Sequence, residues 1–247
     1  PMFFDQGINF ATRDKKILVD LHKITEGHLD ATIMVAYLKQ LERTDEALSA
    51  ATAKADRILN EIEEMVAKNC TAVDIAYTPA DLCRLKKAGK KAVMLGIENG
   101  YAIGKDITNV ERFRHRGVVY MTLCHYGNND ICGSALYNEE GLGVSTDVSH
   151  AGEKRFYDAL AISGKPIVAS HSSARALCDH PRNLTDDQLK ALAAKGGVAQ
   201  VCMYGGFLRK NGEATIKDAI EHLNHMVNVM GKEHVGIGPA IAGDGGS

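Results

Sequence analysis

The most regular feature of this chain is a series of short apolar runs, each about as long as one β-strand. Runs rich in valine and isoleucine and bounded by glycine, proline or asparagine are typical of strands buried on both faces, as in parallel sheets. Four of the runs end on a side chain that can bind a metal ion: Glu98, His125, His150 and His171. Because barrel enzymes build their sites at the carboxyl ends of their strands, the pattern predicts that these four side chains share one site.

Three more apolar runs bring the predicted strands to seven, and these runs cover residues 30–38, 197–204 and 234–240. Helical spacing or a capping residue predicts helices over residues 44–68, from Thr78 onward, and over 106–115, 185–194 and 215–230. Alternation of strands and helices predicts a parallel α/β fold, and eight strands would close a (β/α)8 TIM-like barrel. The chain opens on an apolar segment, as if a strand had just ended upstream, so we expect a barrel without its first strand.

A break in the chain is expected near residues 133–146. The connection between His125 and Val144 is short, rich in glycine and asparagine, and without helical periodicity. A parallel crossover needs about ten or more residues and usually contains a helix. We therefore expect a single barrel domain over residues 1–247 that is incomplete at both ends and interrupted at this connection.

Composition narrows the classes of function. A formal charge of −2, without a strongly basic stretch, argues against nucleic acid or an anionic membrane as the partner. The longest apolar runs fall far short of the roughly 20 residues that span a bilayer. The start of the chain lacks the pattern of a signal peptide, so a cytoplasmic location is expected. The six scattered cysteines, with no Cys-x-x-Cys pair, predict reduced thiols rather than disulfides.

Two histidines and a glutamate are a donor set that suits zinc, which accepts imidazole nitrogen and carboxylate oxygen. A carboxylate can also bridge two ions, so the set would support a binuclear hydrolytic site. A single histidine at a strand end is more often a hydrogen-bonded core residue; four such groups at successive strand ends favour a site. His222 and His225 imitate a ligand pair, but the polar residues between them indicate a solvated helix face.

Six segments carry a family resemblance, and together they span nearly the whole chain: GIENG (96–100), YMTLCH (120–125), DVSH (147–150), ASHSSARAL (169–177), HPRNLTDDQLKALAAKGG (180–197) and HVGIG (234–238). They resemble the membrane dipeptidase (renal dipeptidase) family of zinc peptidases. The block from SHSSARAL to RNLTD is specific to that family, whereas single histidines are not. The resemblance implies a barrel of the metal-dependent hydrolase type that cleaves dipeptides with two zinc ions.

The resemblance also implies a role for each matching residue. Glu98 would bridge both metals, and His150 and His171 would bind one of them. His125 would contact the substrate and help to polarise the scissile carbonyl. Arg182 would pair with the carboxylate at the substrate's C-terminus, a role that suits a guanidinium fork. A metal-bound hydroxide would be the nucleophile. We therefore expect Glu98, His150 and His171 to converge on one point.

The chain departs from the family pattern in three places. The His-x-Asp motif of the first strand, which supplies ligands for the other metal, is absent, and neither His22 nor the pair His28 and Asp30 replaces it. Where the family has Asp-Phe-Asp-Gly after the last strand, this chain has Ala240-Ile241-Ala242-Gly243. The helix before the DVSH strand and the region beyond residue 247 are also missing.

Three hypotheses follow. The first is a zinc dipeptidase whose sequence here is incomplete, with a dipeptide as its substrate and a homodimer as its assembly. The second is a catalytically inactive relative that binds one metal or a peptide without turnover. The third is a barrel scaffold that serves as a subunit of a larger assembly. Metal content separates the three hypotheses. The dipeptidase predicts about two zinc ions per intact chain, the inactive relative predicts one or none, and the scaffold needs no metal.

Overall fold

The computed structural model describes residues 9–15, 17–135 and 147–238. Its described residues group into two compact units. The first contains the residues up to Glu98 together with Ala102–Met121, and the second contains Asn99–Tyr101 together with the residues from Thr122 onward. The prediction of a single domain stays a prediction, and each unit is described in turn.

The first unit is organised around a parallel sheet. Its strands are β1 (Ala31–Tyr37), β2 (Val73–Ile75), β3 (Lys91–Glu98) and β4 (Val118–Thr122). β3 lies at the centre, because it pairs in parallel with β1 from Ala92 to Glu98 and with β2 from Lys91 to Val93. β4 also pairs with β3. Five of the eight residues of β3 are buried, as expected for a strand covered on both faces.

The described part of the first unit contains four helices, and three of them begin at a residue whose side chain caps the helix. The helices are α1 (Leu21–Glu26), α2 (Asp45–Lys68), α3 (Pro79–Lys87) and α4 (Thr108–His115), and a 3₁₀ turn spans Gly100–Ile103. The Thr44 hydroxyl caps α2, and Thr78 forms a capping box with Asp81 at the start of α3. The apolar stripe of α2, which includes Leu48, Ile58 and Ile62, is buried as its helical spacing predicts.

The second unit contains a parallel sheet in the order β5, β6, β7, with strands at Val168–Ala169, Val198–Val201 and Val235–Ile237. Asp147 forms isolated parallel bridges with Thr122 and with Val168. The helices are α5 (Glu153–Ile162), α6 (Asp186–Ala194), α7 (Gly205–Leu208) and α8 (Ile216–Met230), followed by a 3₁₀ turn at Lys232–His234. Phe156, Leu189 and Met226 lie in the buried core of this unit.

The predicted parallel α/β class is confirmed, but the described strands do not close into a barrel. Two details of the strand prediction were wrong. The run that ends at His150 forms only a one-residue bridge at Asp147 among its described residues, because the chain turns at Ser149 and His150. The three-residue strand β2 was missed because it is too short to show an alternating pattern.

The prediction that His222 lies on a solvated helix face was also wrong. His222 is buried at 1% exposure, where its Nδ1 accepts from the amide of Ala174 and its Nε2 donates to the carbonyl of Leu208. His225, by contrast, is partly exposed and bonds Asp186.

Several predictions fall on residues outside the described part of the chain. These are the opening segment from Pro1 to residue 8, most of the break expected near 133–146, and the departures at Ala240 and Ala242. Within the described residues, no helix is both long enough and apolar enough to cross a bilayer.

Candidate metal centre

His150 and His171 form the centre of the candidate site. His171 follows strand β5 after one residue, and His150 lies three residues beyond the bridge at Asp147. Their Nε2 atoms are 2.8 Å apart, and their ring centroids are 4.9 Å apart. Both rings are buried. Two imidazole nitrogens that point at each other in this way could bind the same metal ion.

Glu98, the last residue of β3, completes the group. One candidate ligand atom from each of Glu98, His150 and His171 lies within 4.8 Å of the others. In the described part of the chain, this is the one cluster of three or more histidine, cysteine, aspartate or glutamate side chains with such geometry. Two nitrogens and one carboxylate oxygen are the donors that zinc accepts, so the residues present fit that ion.

The backbone is strained beside this cluster. Asn99, directly after Glu98, has φ of 89°, and His150 itself has φ of 70°. Left-handed conformations of residues other than glycine are uncommon, although asparagine and histidine adopt them more readily than most. Such residues concentrate at functional sites, where the surrounding structure compensates for their cost. Here the unusual backbone sets the direction of the His150 side chain.

Burial keeps the clustered imidazoles neutral. Desolvation lowers the pKa of both His150 and His171 well below the usual value, and the positive charge of Arg182 lowers it further. The same two causes lower the pKa of His125 to about 4. All three rings are therefore uncharged at neutral pH. Neutral imidazole is the form that binds a metal, so the electrostatics of the cluster are compatible with an ion.

His125 lies beside the pair. Its ring centroid is 4.3 Å from that of His150, and the ring of Tyr126 is 5.2 Å from His150. His125 comes three residues after the end of β4. The structure therefore brings this residue to the cluster, next to the candidate ligands rather than among them.

Arg182 is buried close to the same histidines. Its Nη2 donates to the backbone carbonyl of His171 at 3.2 Å, and its guanidinium carbon lies 5.2 Å from the centre of the Phe207 ring. A buried guanidinium gives the cluster a positive potential before any ion binds. His125, His150, His171 and Arg182 therefore lie in one region of the second unit.

The loops that follow β3 and β4 are fastened by a pair of buried asparagines. The Asn129 amide donates to Oδ1 of Asn99 at 2.9 Å and to the carbonyl of Leu123 at 2.7 Å. Gly100 lets these loops approach closely, because a Cβ at this position would lie 2.7 Å from the Leu123 carbonyl oxygen. This packing explains the second glycine of the GIENG segment.

Sequence reasoning missed Asp147, which is fully buried beside the histidines. Its Oδ1 accepts from the amides of Ser149 and Ser170, and its Oδ2 accepts from the hydroxyls of Thr122 and Ser170. The available signal was a single acidic residue within an apolar run, since a buried carboxylate needs several partners. Ser170 and Asn129 gave no comparable signal.

The parallel sheets and the Glu98, His150 and His171 group define an α/β protein with a candidate metal centre. Its family follows from comparison with known proteins. The chain belongs to the membrane dipeptidase family, peptidase family M19, whose model matches residues 1–142 and 132–246. The family resemblance of the sequence motifs is thereby confirmed.

Related sequences are named as dipeptidases. An uncharacterized dipeptidase of Schizosaccharomyces pombe is 33% identical over 66% of this chain and 44% of its own length. Dipeptidase tcpJ of Claviceps purpurea is 27% identical over 94% of this chain and 60% of its own. Dipeptidase 3 of Mus musculus is 26% identical over 92% of this chain and 48% of its own length. The chain spans about half the length of the curated relatives it matches.

Solved structures share the fold. The probable dipeptidase PvdM of Pseudomonas aeruginosa has a TM-score of 0.88 at 24% identity, covering 100% of this chain and 82% of its own. A metallopeptidase of Rhodobacter sphaeroides has a TM-score of 0.85 at 22% identity, and the match covers 96% of this chain and 80% of that protein. Its structure is liganded with a phosphinate mimic of the dipeptide L-Ala-D-Ala. These similarities establish an α/β fold like that of the family's structures.

Proposed function

We propose that this chain carries the catalytic centre of a zinc-dependent dipeptidase, which hydrolyses the peptide bond of dipeptides. The observation that carries the proposal is the meeting of one carboxylate and two neutral imidazoles within 4.8 Å. The chain belongs to a family of dipeptidases, so dipeptide hydrolysis is the reaction that we assign to this donor set. The chemistry that zinc supplies when bound is activation of a water molecule near neutral pH and polarisation of the scissile carbonyl.

In this proposal Glu98, His150 and His171 hold the metal. Burial favours the uncharged rings, which need not lose a proton before they bind an ion. The carboxylate of Glu98 supplies the negative charge that partly compensates the cation. It is also the group that could bridge to a second ion, as the binuclear site expected for the whole protein requires.

His125 and Arg182 are proposed to bind the substrate. With a pKa of about 4, His125 is neutral at physiological pH, so it would act as a hydrogen-bond donor to the scissile carbonyl rather than as an acid. Arg182 offers a fixed positive charge to the carboxylate of the dipeptide. Its contacts with the His171 carbonyl and the Phe207 ring would orient the guanidinium.

The finer features of the proposal are a (β/α)8 TIM-like barrel, two zinc ions, a homodimer and a cytoplasmic location. Parallel strands joined by helices support the barrel. The scattered cysteines, with no Cys-x-x-Cys pair, suit a reducing compartment. Sedimentation at several protein concentrations tests the dimer, and cell fractionation tests the location.

The central test is metal content together with dipeptide hydrolysis. We expect protein that also carries the family's first strand to bind zinc, and L-Ala-D-Ala and a panel of L,L-dipeptides are suitable substrates. Glu98→Gln and His171→Gln should lose zinc and reduce kcat/KM by at least about 10³-fold, because metal ions supply several kcal/mol to such reactions. His225→Gln is the matched control, since His225 bonds Asp186 away from the cluster, and it should keep both properties.

The results separate the hypotheses. Zinc binding without hydrolysis of any dipeptide would favour the inactive relative. A folded chain that binds no zinc would favour the scaffold and would overturn the proposal. Equal zinc content in wild type and His171→Gln would remove His171 from the metal site.

A further inference from the structure

We propose that Asp147 and Ser170 are positioning residues that hold His171 in the tautomer whose Nε2 lone pair is available to a metal. The inference rests on the proposed function only for the identity of the bound ion. The tautomer itself is a property of the protein and can be measured without metal.

The first observation is the way Asp147 is held. Its carboxylate accepts two backbone amides on Oδ1, from Ser149 at 3.0 Å and Ser170 at 3.1 Å. Its other oxygen accepts the hydroxyls of Thr122 at 2.8 Å and Ser170 at 2.6 Å. Each partner is a donor, and an ionised carboxylate has only acceptor sites. The direction of these hydrogen bonds is therefore set by Asp147.

The second observation is the contact between Ser170 and His171. The Ser170 hydroxyl oxygen is 2.8 Å from Nδ1 of His171. A hydroxyl has one hydrogen, and Ser170 gives it to Asp147, so its oxygen can only accept from the ring. Nδ1 of His171 must then carry the proton, and Nε2 must be bare. A bare Nε2 is compatible with the 2.8 Å contact to Nε2 of His150, because only one of these two nitrogens can carry the shared hydrogen.

The third observation concerns the backbone. The two amides that bond Asp147 belong to the residues directly before His150 and His171. The amide of His171 in turn donates to the Ser149 hydroxyl at 3.0 Å. The buried carboxylate of Asp147 thus holds the backbone directly before both histidines. Through Ser170 it also determines which ring nitrogen of His171 carries the proton. Carboxylates that orient metal-binding histidines through hydrogen bonds commonly change metal affinity by about 10–100-fold when they are removed.

Asp147→Asn keeps the shape of the side chain but reverses the relay, by which we mean the hydrogen bonds that run from His171 to Ser170 and from Ser170 to Asp147. The amide oxygen would stay with the two backbone donors, which leaves the NH₂ group facing the two hydroxyls. Ser170 would then accept from Asn and donate its own hydrogen to Nδ1 of His171. The proton of His171 would move to Nε2, the nitrogen that the metal needs.

The test uses the full chain and two readouts. Long-range ¹H–¹⁵N spectra of the metal-free protein give the protonation of each ring nitrogen, and His171→Gln assigns the signals. We expect protonated Nδ1 and bare Nε2 in wild type, the reverse in Asp147→Asn, and a mixture in Ser170→Ala. Zinc affinity, measured by chelator competition, should fall about 10–100-fold in both variants.

Thr122→Val is the matched control, because it removes a hydroxyl from the same carboxylate oxygen without touching His171. It should keep the wild-type tautomer and a zinc affinity within about threefold of wild type. A bare Nδ1 in wild-type His171, or equal losses of affinity in Ser170→Ala and Thr122→Val, would overturn the inference. If wild type shows the expected tautomer but binds no zinc, the proposed function fails and the positioning role toward a metal fails with it, whereas the relay stands.

Discussion

Arg182 places a buried positive charge beside three neutral histidines, and this charge has two opposite effects at the site. It lowers the pKa of His125, His150 and His171, which favours the rings in their metal-binding form. It also repels any cation that approaches. A buried guanidinium attracts anions, and the carboxylate of the dipeptide in the proposed function is such an anion.

Arg182→Met should raise KM for dipeptides by about 10–100-fold with a smaller effect on kcat, because a charge-assisted hydrogen bond contributes about 1.5–3 kcal/mol. Steady-state kinetics on folded variants measure the effect. Arg175→Met is the control, since Arg175 bonds the carbonyls of Asn183 and Pro181 in the same loop. Equal KM values for wild type and Arg182→Met would exclude Arg182 from substrate binding.

At the scale of elements, the turn after β3 depends on the absence of a side chain at Gly100. A Cβ there would meet the Leu123 carbonyl and the side chain of Ile131. Gly100→Ala should therefore lower the free energy of unfolding by about 1–3 kcal/mol, the usual cost of overpacking. Urea denaturation gives the value.

Gly164→Ala is the matched control for that experiment. A Cβ at Gly164 would meet no atom within 4 Å, and the residue does not have a positive φ. Its substitution should be neutral or should stabilise the fold by about 0.4–1 kcal/mol, because alanine lowers the conformational entropy of the unfolded chain. A Gly100→Ala variant as stable as this control would show that the turn can move aside.

The elements that the sequence predicted best are those with a local physical signal. Helix α2 has a long apolar stripe and a Thr44 cap, and α6 has the predicted capping box of Thr185 and Gln188. Strand β2 and helix α7 have only three and four residues, so their positions are decided by packing rather than by local preference. The turn at His150 was also beyond prediction, because a left-handed histidine depends on contacts distant in sequence.

The same distinction holds for the candidate site. Glu98, His125, His150, His171 and Arg182 carry chemistry that can be recognised in a motif, and the last four lie together in the second unit. The hydrogen bonds of Asp147 beside these residues could not be deduced from the sequence. Its donors come from segments that are separate along the chain and meet only in the fold. His222 was misjudged for the same reason, since its hydrogen-bond partners lie 14 and 48 positions away along the chain.

At the scale of the whole molecule, buried neutral histidines make the stability of the metal-free protein depend on pH. Desolvation is the first cause of the lowered pKa of His125, His180 and His222, as it is for the candidate ligands. The unfolded chain takes up these protons near pH 6.5, while native His125 does so only near pH 4. Between these values the unfolded state binds more protons, so stability rises with pH.

We therefore expect the free energy of unfolding to fall as the pH is lowered from 7 towards 4, with each such histidine contributing up to about 1.4 kcal/mol per pH unit. Urea denaturation at a series of pH values, with a chelator present to exclude metal, measures this slope. Constant stability across that range would mean that the rings take up protons at the same pH in the native protein as in the unfolded chain.

The left-handed backbone at His150 has a consequence for how this protein tolerates change. A non-glycine residue in that conformation carries a cost of order 1 kcal/mol, which glycine would not bear. The imidazole is thus kept at a position where the backbone favours its loss. A chain released from metal binding could relieve this conformational penalty by replacing the residue. Under the metal-binding role proposed for His150, stability and activity therefore favour different residues at position 150.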